Sequence, residues 1–169
     1  MEPLMHFIIP LLILLVAFPR MDKRMAVGLA FLALVPDMDF FIGFTHRFLF
    51  HSIFFVLGLS LIIYFFSKSL QVSLISFYYL MSHLILDLTT GAIALFWPFY
   101  QRLIEIVISL DSRWNFAFDI NTYPLKTVQE HMVKYPSYFF TQEGIFVGLL
   151  FLAMLVIAYN KEITNLFRE

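Results

Sequence analysis

The chain has 169 residues, enough for one domain but hardly two. Its apolar share of 61% and mean hydropathy of +0.85 exceed the roughly 45–50% apolar share of soluble domains, and 22 phenylalanines favour a lipid-facing surface. A net charge of −1 argues against a nucleic-acid partner, and the lack of cysteine excludes disulfides, thiolate metal sites and a cysteine nucleophile. Any metal must be held by His, Asp or Glu.

In chain order, Met1 to Phe18 is a short apolar run with Glu2 before it and Arg20, Lys23 and Arg24 after it. That is the reverse of a signal peptide's charge order, and no small-residue cleavage site follows, so it reads as a retained span. Pro10 within it is a candidate kink. A second helix is expected from about Lys23 to Pro36, with Val35 pushed out of helical geometry by the proline after it. About 12 residues at 1.5 Å each cannot cross roughly 30 Å of hydrocarbon, so this helix delivers Asp37 and Asp39 to a depth inside the membrane or near one interface. Further helices are expected from about His46 to Phe66 and from Leu70 to about Thr89, with Ser67-Lys68-Ser69 turning between them and Gly91 ending the second. Phe96-Trp97-Pro98-Phe99-Tyr100 resembles an interfacial aromatic belt.

From about 101 to 142 the character changes to a charged extramembrane cap. Ile104, Ile106, Ile108 and Leu110, then Trp114, Phe116, Phe118 and Ile120, alternate with more polar residues, which predicts a β-hairpin turning at Asp111-Ser112-Arg113. Asn121 to Tyr135 reads as a short amphipathic helix, and Glu143 to Tyr159 as the last span. The expectation is an all-α polytopic membrane protein, a single integral membrane domain over 1–169. It has about five membrane helices, one of them short and ending at Pro36, plus the cap. Five crossings put Arg20, Lys23, Arg24, Lys68, Lys161 and Arg168 on one side, so the N-terminus is expected outside and the C-terminus in the cytoplasm.

Ionisable side chains inside such helices are costly and are functional-site hypotheses by default. Asp37 and Asp39, two apart, point the same way in extended backbone and can reach one ion or bridge two. His83 and Asp87, four apart, share a helix face. His46 and His51, five apart, share a site only if His46 lies in the turn before the helix. His6, in the first span, either joins the set or stays outside it. Imidazole with carboxylate suits Zn, Mn or Fe, as one or two ions, and such ions acidify a bound water and polarise a phosphoryl or carbonyl oxygen. Arg47 is the natural partner of an anionic group, and Ser52, Thr89 and Thr90 are supporting donors. The bland alternatives are helix capping by Asp37 and Asp39, a structural His83–Asp87 hydrogen bond, and a lone capping role for His6.

The ordered motifs LVPDMDF, HRFLFHS and SHLILDLTTG with FWPF, together with His6 and the Gly-led last span TQEGIFVGLL, resemble the YdjM-type membrane-bound metal-dependent hydrolases. These are small helical inner-membrane proteins. The resemblance covers most of residues 1–100 and the last span, and the cap least. Where family members often read H-R-G-x-T-H-S, this chain reads His46-Arg47-Phe48-Leu49-Phe50-His51-Ser52, without the Gly and Thr. The resemblance implies a multi-pass inner-membrane hydrolase with Asp37, Asp39, His46, His51, His83 and Asp87 at the family's motif positions.

The expected activity is cleavage of a phosphoester of a lipid or lipid-linked substrate by a metal-activated water, with zinc the favoured ion. Arg47, Asp39 and His51 are the expected catalytic residues. The rivals are a small ion or metal transporter, which the lack of an internal repeat disfavours, and a non-catalytic scaffold that keeps a structural metal.

Overall fold

The structure, a computed structural model, describes residues 3–39, 47–110, 116–125, 145–146 and 148–154. Helix α1 spans Pro3–Ala17 and runs through Pro10. Helix α2 spans Lys23–Ala30, with the Asp22 carboxylate accepting from the Arg24 amide at 2.9 Å as its N-cap. Two 3-10 turns follow, Phe31–Leu34 and Pro36–Met38. Val35 keeps right-handed helical geometry (φ −61°, ψ −40°) ahead of Pro36, contrary to the steric expectation. The tighter 3-10 winding on either side replaces the extended break that the proline foretold.

Helix α3 spans Ile53–Ser67 and α4 spans Leu70–Thr90. The start expected near His46 is therefore late. Residues 47–52 form a turn, and the Ser52 hydroxyl caps α3 by accepting from Phe54 N at 3.2 Å. Lys68, in the left-handed region at φ 52°, closes α3, and Ser69 opens α4 at once.

Small residues set the packing. Ala26, Ala30 and Ala33 are wholly buried where α2 and the first 3-10 turn meet α1 and α4, because only a methyl lets the backbones come this close. Polar side chains cross between elements there. The Tyr79 hydroxyl donates to the Ala26 carbonyl at 2.8 Å, Tyr78 to the Pro10 carbonyl at 2.9 Å, and Ser73 to the Ser60 carbonyl at 2.9 Å. Outward positions stay apolar, among them Leu57, Leu61 and Phe65 on α3 and Leu74 and Ile85 on α4. That polarity order suits lipid rather than water.

Of the five expected crossings, one is long enough among the described residues. The 21 residues of α4 can traverse the hydrocarbon, whereas α1 and α3, with 15 each, are apolar but shorter. Within the expected last span, residues 145–146 and 148–154 are helical.

The hairpin forms as the alternation requires. Strand β1, Arg102–Leu110, pairs antiparallel with β2, Phe116–Pro124, in a register that sets Ile106 opposite Ile120 and Ile108 opposite Phe118. Its expected turn, 111–113, lies outside the described residues. Asn121–Pro124 belongs to β2, which corrects the helix expected from Asn121; cross-strand pairing outweighs the helical pattern there. The rest of that segment lies outside the described residues. Nor is the hairpin a detached cap at its base. Ile93 and Ile104 exchange backbone hydrogen bonds of 2.9 Å, and Ile104 and Ile106 pack against the core cluster of Val56, Leu80, Leu84, Leu88 and Ile93.

Candidate metal centre

The order of the elements gathers the polar islands at one end of the bundle. His6 opens α1, α2 leads into Asp37 and Asp39, the turn carrying Arg47 and His51 precedes α3, and His83 and Asp87 close α4. The basic residues Arg20, Lys23, Arg24 and Lys68 fall at the opposite ends of the same helices. His6, Asp39, His51, His83 and Asp87 are all 0–1% exposed, which in an apolar bundle is tolerated only when the groups satisfy one another or an ion.

Four of the six residues expected to bind metal meet. Asp37, His51, His83 and Asp87 each offer one ligand atom, all within 4.8 Å of one another. The Nε2 atoms of His51 and His83 face each other at 3.2 Å. Asp87 Oδ2 lies 3.0 Å from the first and 3.4 Å from the second, and Asp37 Oδ1 lies 3.9 and 3.5 Å from them. Asp37 and Asp39 do not act as a pair from extended backbone. The 3-10 turn sends Asp37 to the Nε2 side, while Asp39 Oδ2 sits 3.3 Å from His51 Nδ1, on the other edge of that ring. His46 lies outside the described residues.

The outer partners assign the imidazole protons. A carbonyl can only accept, so His83 Nδ1, 2.6 Å from the Ala33 carbonyl, carries a proton and leaves the Nε2 lone pair facing inward. The Asp39 carboxylate, 3.3 Å from His51 Nδ1, can only accept and favours a proton on that atom. Two inward Nε2 atoms at 3.2 Å have room for one shared positive body, a proton or a cation. In the turn ahead of α3, burial pushes the His51 imidazole down, but the Asp39 and Asp87 carboxylates more than reverse this and raise its pKa to about 9. The two carboxylates thus favour positive charge on the His51 ring, and a metal bound there would compete with that proton. Mixed imidazole and carboxylate donors at these separations fit a divalent transition ion.

Arg47 stands at the rim, its side chain 18% exposed and its Nη2 3.6 Å from Asp87 Oδ1. Its backbone is left-handed at φ 67°, held by its amide donating to Asp39 Oδ2 at 3.1 Å and its carbonyl accepting from Ala94 N at 3.1 Å. Such an outlier costs of order 1 kcal/mol and persists where the surroundings impose it. The guanidinium lies over Gly91, where a Cβ would collide with Nη1.

The expected supporting donors are engaged elsewhere. Ser52 donates to the Trp97 carbonyl at 2.6 Å, and Thr89 and Thr90 donate to the Leu86 carbonyl at 2.8 and 3.2 Å. Sequence reasoning missed the Ala33 carbonyl, for which no side-chain signal exists. It also read Gly91 only as a helix stop, because only the fold brings Arg47 over it.

A helical bundle with a lipid-compatible exterior and a buried His/Asp group defines a class of small membrane proteins whose interior could hold a metal ion. Within that class, the chain belongs to the YdjM inner membrane protein family, which it matches over residues 1–163. No curated protein and no solved structure matches it.

Proposed function

We propose that the protein is a membrane-embedded metal-dependent hydrolase acting on a phosphoester of a lipid or lipid-linked substrate. One observation carries this reading: two imidazoles, each backed at Nδ1 by an acceptor oxygen, turn their Nε2 atoms towards each other, between two carboxylates and beside an arginine. Asp37, His51, His83 and Asp87 would hold the ion, zinc being the favoured one. When bound, it would supply Lewis-acid polarisation of a phosphoryl oxygen and acidification of water.

The chain's own residues do the remaining work. Asp39 orients His51 from behind, the Ala33 carbonyl does the same for His83, and the Arg47 guanidinium, braced on Gly91, receives the anionic group with its planar fork. The partial exposure of Arg47 marks the side from which a head group enters. With the basic ends of the helices in the cytoplasm, the site faces the outer side of the inner membrane.

The test is elemental analysis of detergent-purified protein beside His83→Ala/Asp87→Ala, followed by hydrolysis assays on phospholipids and lipid phosphates. The expected result is bound Zn, Mn or Fe that the double variant loses, and phosphate or head-group release that depends on it. No metal in either sample after metal loading would overturn the reading. Ion uptake into proteoliposomes without product would replace it with a transporter.

A further inference from the structure

His6 is fully buried, touches the cluster, and is not one of the four residues whose ligand atoms meet. Its Nε2 lies 3.2 Å from Asp87 Oδ1, whereas His51 and His83 direct their Nε2 atoms at Oδ2 of the same carboxylate. Among the described residues, neither ring nitrogen of His6 has a hydrogen bond of acceptable geometry. Its Nδ1 is backed by Asp37 Oδ2 at 3.9 Å, so all three imidazoles share one arrangement: an acceptor beside Nδ1 and Nε2 turned to Asp87.

The ring of His6 stacks on that of His83, with centroids 3.9 Å apart and planes 21° apart. Stacked imidazoles facing the two oxygens of one carboxylate set their ligand atoms side by side, not around one point. The ring separation matches the roughly 3.5–4 Å between ions in two-metal sites. Two atoms bound to one ion at about 2.0–2.2 Å each lie roughly 3 Å apart, close to the His6 Nε2–Asp87 Oδ1 distance.

We infer that the centre has a second divalent-cation position between His6 Nε2 and Asp87 Oδ1, with Asp87 bridging it to the position of His51 and His83. This inference rests on the metal-site reading above and deepens it. Arg47 Nη2, 3.6 Å from the same Asp87 oxygen, borders the second position. A phosphoryl group there would meet a cation and a guanidinium together, a pairing suited to a phosphomonoester or diester rather than a neutral ester.

The test needs no substrate. The full chain in detergent is loaded with Mn(II), washed, and measured for metal stoichiometry and by electron paramagnetic resonance. Wild type is expected to hold two equivalents with an exchange-coupled multiline signal. His6→Ala, and His6→Phe, which keeps an aromatic ring against His83 and checks that the bundle survives, are each expected to hold one equivalent with an uncoupled six-line spectrum. One uncoupled equivalent in wild type, or two in folded His6→Phe, would overturn the second position while leaving the first intact. No bound manganese in any sample would instead overturn the metal reading itself.

Discussion

The outer half of the hairpin and the site end of the bundle treat side chains in opposite ways. At the site, His6, Asp39, His51, His83 and Asp87 are polar and sealed from solvent, while along the outer half of the hairpin Ile108, Phe116, Phe118 and Ile120 are apolar and 54–66% exposed. In water the second pattern is a liability; beside a bilayer it is a tolerable surface, and the first pattern is the one needing an explanation. The contrast locates function. Buried polarity is retained against its cost where the groups can satisfy one another or a metal ion, whereas the exposed outer half of the described hairpin contributes little to the core that supports it.

Four perturbations would break or sharpen that contrast. The largest effect is expected from Gly91→Ala, whose new methyl displaces the Arg47 guanidinium without touching the metal residues. Turnover in the proposed phosphoester reaction should fall about 10²–10³-fold, comparable to removing one transition-state donor, with the metal content of loaded protein unchanged; loss of metal binding instead would place Gly91 in the scaffold of the site. Next is Leu84→Ala, which opens a cavity in the cluster that packs α4 against α3 and β1. Denaturation in detergent should show a loss of about 2–4 kcal/mol. Tyr79→Phe removes the buried hydroxyl that ties α4 to the Ala26 carbonyl, and about 1 kcal/mol should be lost in the same assay. The smallest change is expected from Phe118→Ser on the hairpin, within about 0.5 kcal/mol of wild type. A loss as large as that of Leu84→Ala would show that the hairpin face is covered in the folded protein.

Much of this architecture was legible in the residues because local periodicity and chain punctuation act locally. The apolar run of α4 from Leu70, the serine-flanked turn at Lys68 and the hairpin alternation around Ile106 and Phe118 each carry their own signal, and each element formed. The i,i+4 spacing of His83 and Asp87 put both on one helix face whatever the surroundings. Other expectations failed where neighbours outweighed local preference: Val35 stayed helical before Pro36, and Asn121–Pro124 was drawn into β2 by pairing with β1.

What no local rule contains is the division of labour among the polar residues. Asp37 and Asp39 are two positions apart with the same side chain, yet the 3-10 turn sends one to the Nε2 atoms and the other behind His51. The proton on His83 is placed by the Ala33 carbonyl, fifty residues away, and Arg47 is seated by Gly91. Residue types and spacing set the chemistry this chain can perform, since ligand identity and helical geometry are properties of the residues themselves. Which nitrogen faces inward, and which carboxylate oxygen serves which imidazole, depends on contacts between distant segments, and those exist only once α1, α2, α3 and α4 have packed.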